Sequence, residues 1–179
     1  HLRRLATYHH PRFACAFDVS EPLLVTCGKV FDVPSFNRSS LTPGHDMMDR
    51  VLRQSGLPMM IGEFHFGSVD RGQGQSLWQV NSQEERGVAY RYYVENGFAH
   101  PGLIGTAYFT WYDQDVMGRF DGENYNCGCI DVTDVPYPQQ TQAMMESARL
   151  LYDIHAGKQA PYSKQPVRPR GHDHGPDAW

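Results

Sequence analysis

The stretch "MMIGEFHFG", Met59–Gly67, ends an apolar run on a carboxylate. Preceded by Leu57-Pro58, the run Met59-Met60-Ile61 reads as a buried strand that closes near Phe64. A buried glutamate without a partner is costly. Glu63 therefore stands either at the open end of that strand, where chemistry takes place, or neutralised inside.

On both sides of this strand, short apolar runs alternate with helical patterns. "HLRRLATYHH" carries Leu2, Leu5 and Tyr8 at helical spacing and predicts the end of a helix. "RFACAF", Arg12 to Phe17, predicts a short strand. "SEPLLVTCG" predicts a helix with Ser20 as N-cap, Pro22 in the first turn and Gly28 as its stop. "VFDVPSFN" predicts a strand ending at Asn37, weakened by Pro34, which cannot donate to a ladder. "TPGHDMMDRVLRQSG" predicts a helix with Met47, Met48, Val51 and Leu52 on one face, closed by Gly56. After the Met59 strand comes a polar, glycine-rich stretch, His65 to Val80, and then "SQEERGVAYRYYVENG", opened by a Ser82–Glu85 capping box. Val88, Ala89, Tyr92 and Tyr93 give that helix its apolar face. "GLIGTAYFTW" predicts a fourth strand, followed by a long loop from Tyr112 to about Pro138. "TQAMMESARLLYDIHAG" predicts the last helix, with Met144, Met145, Ala148, Leu151, Tyr152 and His155 as a core stripe. From Lys158 the chain is proline-rich and polar, so a domain over 1–157 and a disordered tail over 158–179 are expected.

Strand–helix repeats of this kind imply a parallel sheet covered by helices, an α/β fold. A doubly wound open sheet and a (β/α)8 TIM barrel compete. No glycine-rich phosphate loop follows any strand, which lowers the first. The polar, aromatic-rich loops follow strand C-termini, where a barrel builds its active site. A whole barrel takes about 250 residues and eight units. This chain has 179 residues and shows four, so it reads as half a barrel.

Composition narrows the function classes. A formal charge of −4 gives no electrostatic case for nucleic acid, and no apolar run is long enough to span a membrane. The chain opens without an initiator Met or a signal-peptide pattern, so it reads as a fragment, a processed or an engineered chain, and localisation cannot be taken from its start. Cys15, Cys27, Cys127 and Cys129 lack the Cys-x-x-Cys spacing of a zinc knuckle and read as ordinary buried thiols; His172 to His174 sit in the polar tail. No metal or organic cofactor is implied.

Loop by loop, the strand ends supply a polar list. The second gives Ser35, Asn37 and Arg38; the third gives Glu63 and His65; the fourth gives Trp111, Asp113 and Gln114, with Arg119, Asp121, Glu123 and Asn124 in "MGRFDGENYN". Carboxylates and amides bind hydroxyls in pairs, and an indole covers the apolar face of a pyranose, so the set suits a sugar. Nucleophilic serine chemistry would need a G-x-S-x-G elbow, which is absent. Retaining glycosidases need two carboxyls about 5–5.5 Å apart, one to attack the anomeric carbon and one to protonate the leaving oxygen. Glu63 fits the nucleophile; the structural alternative is that it pairs with Arg119 or His65. A carbohydrate-binding half-barrel without catalysis, and a metal-dependent hydrolase using Glu63, His65 and Asp113, stand as the other readings.

Three segments, "IGEFHFG", "NSQEERGVAYRYYVENGFAHPGLIGTAYFTWYDQ" and "GRFDGENYNCGCIDVTDVPYP", resemble the C-terminal half of the catalytic barrel in β-agarase and β-galactosidase-like glycoside hydrolases, nearest to agarase family fifty. The resemblance covers roughly Phe13 to His155 and is most specific over Gly118 to Pro138. It implies that Glu63 occupies the nucleophile position at the end of the seventh strand and Asn37 the amide position at the end of the sixth. Trp111 and Asp113 match the end of the eighth strand, and Asp121, Glu123 and Asn124 a loop that approaches substrate or braces itself. It also implies a galactose-containing polysaccharide or oligosaccharide as partner and a secreted or periplasmic setting. Two departures stand out. Ala107-Tyr108 and Phe109-Thr110 replace the family's His-Trp and Phe-Gln in the eighth strand. The acid/base Glu of an Asn-Glu pair is absent, because the chain contains no such dipeptide. The isolated chain is therefore expected to be inactive, with its open sheet edges covered by an N-terminal half-barrel or by a homodimer.

Overall fold

The computed structural model describes residues 20–74 and 76–169, together with the backbone of 13–16. The helix expected over the first ten residues, the tail beyond 169 and the side chain of Cys15 lie outside the described residues. In chain order the elements are β1 (Phe13–Ala16), α1 (Glu21–Val30), β2 (Val33–Asn37), α2 (His45–Ser55), β3 (Met59–Phe64), β4 (Gly67–Ser68), β5 (Gln79–Val80), α3 (Gln83–Phe98), β6 (Leu103–Tyr108) and α4 (Pro138–His155). The main sheet has the order β1-β2-β3-β6 and is parallel throughout, while β4 and β5 form a separate parallel pair. Within the main sheet, spatial order follows chain order without the reversal that marks a doubly wound fold.

Local chemistry accounts for most boundaries. Ser82 caps α3 by accepting from the Glu85 amide at 3.3 Å. Gly56 closes α2 at φ 70°, a conformation that a β-carbon disfavours. Gly28, expected as a stop, instead lies inside α1, which runs on to Val30. A β-carbon at Gly28 would stand 2.2 Å from the Ser55 carbonyl oxygen, so this glycine lets α1 and α2 approach closely. Pro34 belongs to β2 after all. It pairs with Ala14 of β1, and pairing with β3 begins one residue later, at Ser35 opposite Met60, so the missing donor falls outside the β2–β3 ladder.

The core lies between the sheet and the helices. Met59, Ile61 and Phe64 of β3 meet Met48 and Val51 of α2 and Ala89 and Tyr93 of α3. Phe64 stacks on Tyr93 with centroids 4.2 Å apart and planes within 4°. Burying side chains of this size contributes roughly 1.5–3 kcal/mol each.

Two expectations are corrected at the C-terminal end. The residues that α4 buries are Gln140, Ala143, Ser147 and Ile154, whereas Tyr152 of the expected core stripe is 89% exposed and Met145 49%. The reason is close helix packing. A β-carbon at Gly87 of α3 would stand 2.8 Å from the Gln139 carbonyl oxygen and 3.4 Å from Ala143, so the two helices approach closely there and the inner face of α4 is set around that contact. Leu151, Tyr152 and His155 instead line an open apolar depression with Phe98, Leu103 and Ile104 at β6, the edge strand of the main sheet among the described residues. The polar segment expected as disordered is, over 158–169, laid against α3. The Tyr162 amide donates to Glu95 at 2.9 Å, the Val167 amide to Glu85 at 2.6 Å, and Arg168 covers the Trp78 ring at 4.0 Å. Composition suggested disorder, but acidic acceptors on α3 satisfy this backbone.

Candidate active site

Parallel strands aim their C-terminal ends at one side, and there the loops 65–82 and 109–137 are laced together. The Gly74 amide donates to the Asn124 carbonyl at 3.1 Å and to its side-chain oxygen at 3.0 Å. Gln73 Nε2 donates to the Gln114 carbonyl at 3.0 Å, and the Ser68 amide to the Asn126 carbonyl at 3.3 Å.

Glu63 sits at the C-terminal end of β3, opposite Asn37 of β2 in the sheet register, and the Arg38 amide donates to its backbone oxygen at 2.8 Å. Its side chain is half-buried and takes no hydrogen bond or ion pair from a described residue. Burial raises its pKa, the Glu123 carboxylate raises it further, and the Arg119 guanidinium opposes both. Arg119 is not its ion-pair partner. That guanidinium is bound to Asp121 and lies 3.0 Å from Glu123 Oε2. Nor is His65, whose Nε2 accepts from the Leu77 amide at 3.2 Å.

Each remaining expected residue has a definite place. His65 is 2% exposed, between the rings of Phe109 and Tyr125. Burial, with help from the Arg86 charge, lowers its pKa to about 4, so at neutral pH it is an uncharged acceptor bracing the loop. Asp113 is also taken up inside: one oxygen accepts from the Gly128 amide at 2.7 Å, the other from Asn126 Nδ2 and the Tyr137 hydroxyl at 2.6 Å each. Gln114 is buried and donates to Glu123 Oε2 at 2.7 Å while accepting from the Tyr125 amide at 2.7 Å. Asn124 is spent on Gly74. Asp121 holds Arg119 and the Glu123 amide. Trp111, 65% exposed, leaves an indole face open to solvent.

The set thus divides. Glu63, Glu123 and Trp111 remain available to a ligand, whereas His65, Asp113, Gln114 and Asn124 hold the loops that carry them. With Asp113 engaged, Glu63, His65 and Asp113 do not make a metal donor set, and no cluster of three such ligands occurs among the described residues. Cys27, Cys127 and Cys129 are free and buried, and burial pushes the Cys127 thiol to about 12.

Sequence reasoning missed the centre of this bracing. Arg86 of α3 is fully buried. It donates to the Phe66 carbonyl at 3.0 Å, Gln83 Oε1 at 2.8 Å, the Tyr108 hydroxyl at 3.3 Å and the Gly128 carbonyl at 2.5 Å, so it joins the ends of β3 and β6 to the loop. Burial works against its charge, but Tyr108 and Asp113 hold its pKa above the ordinary value. Gln83, Ser68, Asp70 and Asn126 continue the network. The available signal was the polar first turn of α3 together with Asn126 and Tyr137, which lie in the segment most specific to the resemblance.

No family model matches the chain. It is 38% identical over 123 residues to β-agarase A of Vibrio sp. (strain JT0107), covering 65% of this chain and 12% of that protein. To β-agarase B of the same strain it is 39% identical over 97 residues, covering 53% of this chain and 10% of that protein. Among solved structures, an exo-β-agarase superposes with TM-score 0.71 at 33% identity over 75% of this chain and 18% of its own. The agarase AgWH50C gives TM-score 0.74 at 31% identity over 79% and 22%. A GH2 β-galacturonidase from Eisenbergiella tayi shares the fold, with TM-score 0.55 at 18% identity over 90% and 29%. The chain spans about a tenth of the length of the two Vibrio relatives.

Proposed function

From a chain homologous in part to the family-50 β-agarases, over a fraction of their length, we propose the C-terminal half of a (β/α)8 catalytic domain, spanning residues 1–157. In this reading the protein is a retaining glycoside hydrolase that cuts β-galactosidic linkages in agarose-like or other galactose-containing polysaccharides. The observation that carries it is Glu63: a half-buried carboxylate, unpaired among the described residues, at the C-terminal end of a parallel strand.

Glu63 attacks the anomeric carbon and forms a glycosyl-enzyme as the leaving oxygen departs. The carboxyl that protonates that oxygen, and later activates water, comes from outside this chain. Its distance from Glu63 is expected near the 5–5.5 Å of retaining enzymes. Glu123, kept in place by Gln114 and Arg119, accepts from sugar hydroxyls, Asn37 supplies an amide, and Trp111 stacks on a ring. The raised pKa of Glu63 suits a desolvated nucleophile: it needs a higher pH to ionise and is a stronger base once ionised. The sequential parallel sheet, β6 as its edge strand among the described residues and the apolar depression beside it support a missing half, either an N-terminal half-barrel or a second copy.

Glu63→Ala in the complete enzyme is expected to abolish turnover, and azide to restore it with a glycosyl azide as product. Azide yielding no such product counts against the nucleophile. The isolated chain is expected to show no turnover on a nitrophenyl galactoside, and measurable turnover by its monomer refutes the half-site reading. Polysaccharide binding by the complete polypeptide without hydrolysis favours the non-catalytic alternative.

A further inference from the structure

The loop that carries Gln114 and Glu123 also carries two large apolar side chains with no role in the site described: Met117 is 90% exposed and Phe120 100%. Their exposure does not come from a loose loop. The Gly118 amide donates to the Asp115 carbonyl at 2.9 Å and the Met117 amide to Asp115 Oδ1 at 2.8 Å. The Arg119 amide donates to the Glu123 carbonyl at 2.8 Å and the Gly122 amide to the Arg119 carbonyl at 2.9 Å. Glycines at φ 90° (Gly118) and 86° (Gly122) permit the turns. This hydrogen-bonded tip holds Phe120 outward.

Arg119 links the tip to the site. Its guanidinium carbon lies 5.8 Å from the ring centroids of both Phe109 and Phe120, while Nη2 is 3.0 Å from Glu123 Oε2. Phe120, Arg119 and Phe109 thus form a continuous row from the loop tip to the end of β6. We propose that Phe120, with Met117 three residues before it in the same loop, forms an outer sugar subsite: a platform for a galactan unit beyond the one held at Glu63. The proposal rests on the hydrolase reading above.

The chemistry around the ring selects the occupant. A pyranose offers an apolar C–H face ringed by hydroxyls, and Phe120 offers an apolar face flanked by Arg119 and Asp121, with Asp115 also in the loop. A stable protein interface wants about 800 Å² per partner with a centre poor in charge. Here Asp115, Arg119, Asp121 and Glu123 stand among the apolar residues of the loop.

The test is affinity electrophoresis of the full chain through gels containing soluble agarose, paired with calorimetric titration of an agarose disaccharide. Phe120→Ala is expected to weaken polymer binding about tenfold and leave disaccharide binding unchanged, with Phe120→Trp restoring the polymer affinity. Equal retardation of Phe120→Ala and the parent overturns the platform alone. An equal loss on polymer and disaccharide overturns it too, as does a lower melting temperature for Phe120→Ala, which would mean the ring packs against protein. A parent chain that agarose does not retard overturns the platform, and the carbohydrate reading beneath it falls with it when the complete enzyme is not retarded either.

Discussion

Replacing Asp113 with asparagine removes one charge from the centre of the laced loops and turns one acceptor into a donor. Three donors converge on the native carboxylate: the Gly128 amide at 2.7 Å, and Asn126 Nδ2 and the Tyr137 hydroxyl at 2.6 Å. The asparagine oxygen can serve either the Asn126–Tyr137 side or Gly128, never both. If it keeps the first two, the Gly128 amide faces an NH2 and loses its acceptor in a buried position, a cost of about 1–3 kcal/mol. The two surviving bonds change from charge-assisted to neutral, and buried Arg86 loses a nearby compensating charge. Together these bring the expected loss to about 3 kcal/mol. For a chain of this size that corresponds to a fall in melting temperature of roughly 6–12 °C. Thermal and urea unfolding of the Asp113→Asn chain measure it directly. An unchanged melting temperature, accompanied by weaker sugar binding, would refute the assignment of Asp113 to bracing and return it to the ligand.

The other predictions concern pH and packing. His65 has a folded pKa of about 4 against an ordinary 6.5, so between those values the unfolded chain takes up a proton that the folded one refuses. Stability should be full above pH 6.5 and fall by up to about 3 kcal/mol as pH drops to 4; a His65→Gln chain with the same pH dependence contradicts this. Glu123 raises the pKa of Glu63, so Glu123→Gln in the complete enzyme should move the acidic limb of kcat/KM to lower pH. A limb that stays or moves upward rejects that coupling. Gly87→Ala would put a β-carbon 2.8 Å from the Gln139 carbonyl oxygen and force α3 and α4 apart, with a loss of about 1–3 kcal/mol in urea unfolding. An unchanged midpoint would mean the helices are not held as closely as described.

What the sequence made legible follows from periodicity. The β3 strand announced itself as an apolar run, and its end on Glu63 placed the carboxylate at the open side of the sheet. Ser82 and Gly56 marked helix ends because capping chemistry is local. The fates of Asp113 and Glu123 were not legible in the same way. Both are acids in one polar loop, and what separates them is which donors arrive: Asn126, Gly128 and Tyr137 fold back onto Asp113, whereas Gln114 and Arg119 leave Glu123 at the surface. Arg86 escaped notice because an arginine on a helix is expected outside, and only the gathered carbonyls of Phe66 and Gly128 justify its burial. The misread stripe of α4 has a similar cause. Its inner face was set by Gly87 on another helix, which a window on α4 alone cannot contain.

Glu63 is proposed to form the covalent bond to the sugar. A 2-deoxy-2-fluoro-galactoside with a good leaving group, incubated with the complete enzyme, traps such an intermediate, and mass spectrometry of the tryptic digest locates it. The added mass is expected on the peptide from Gln54 to Arg71, at Glu63. A label on any other carboxylate, Glu123 included, would contradict it.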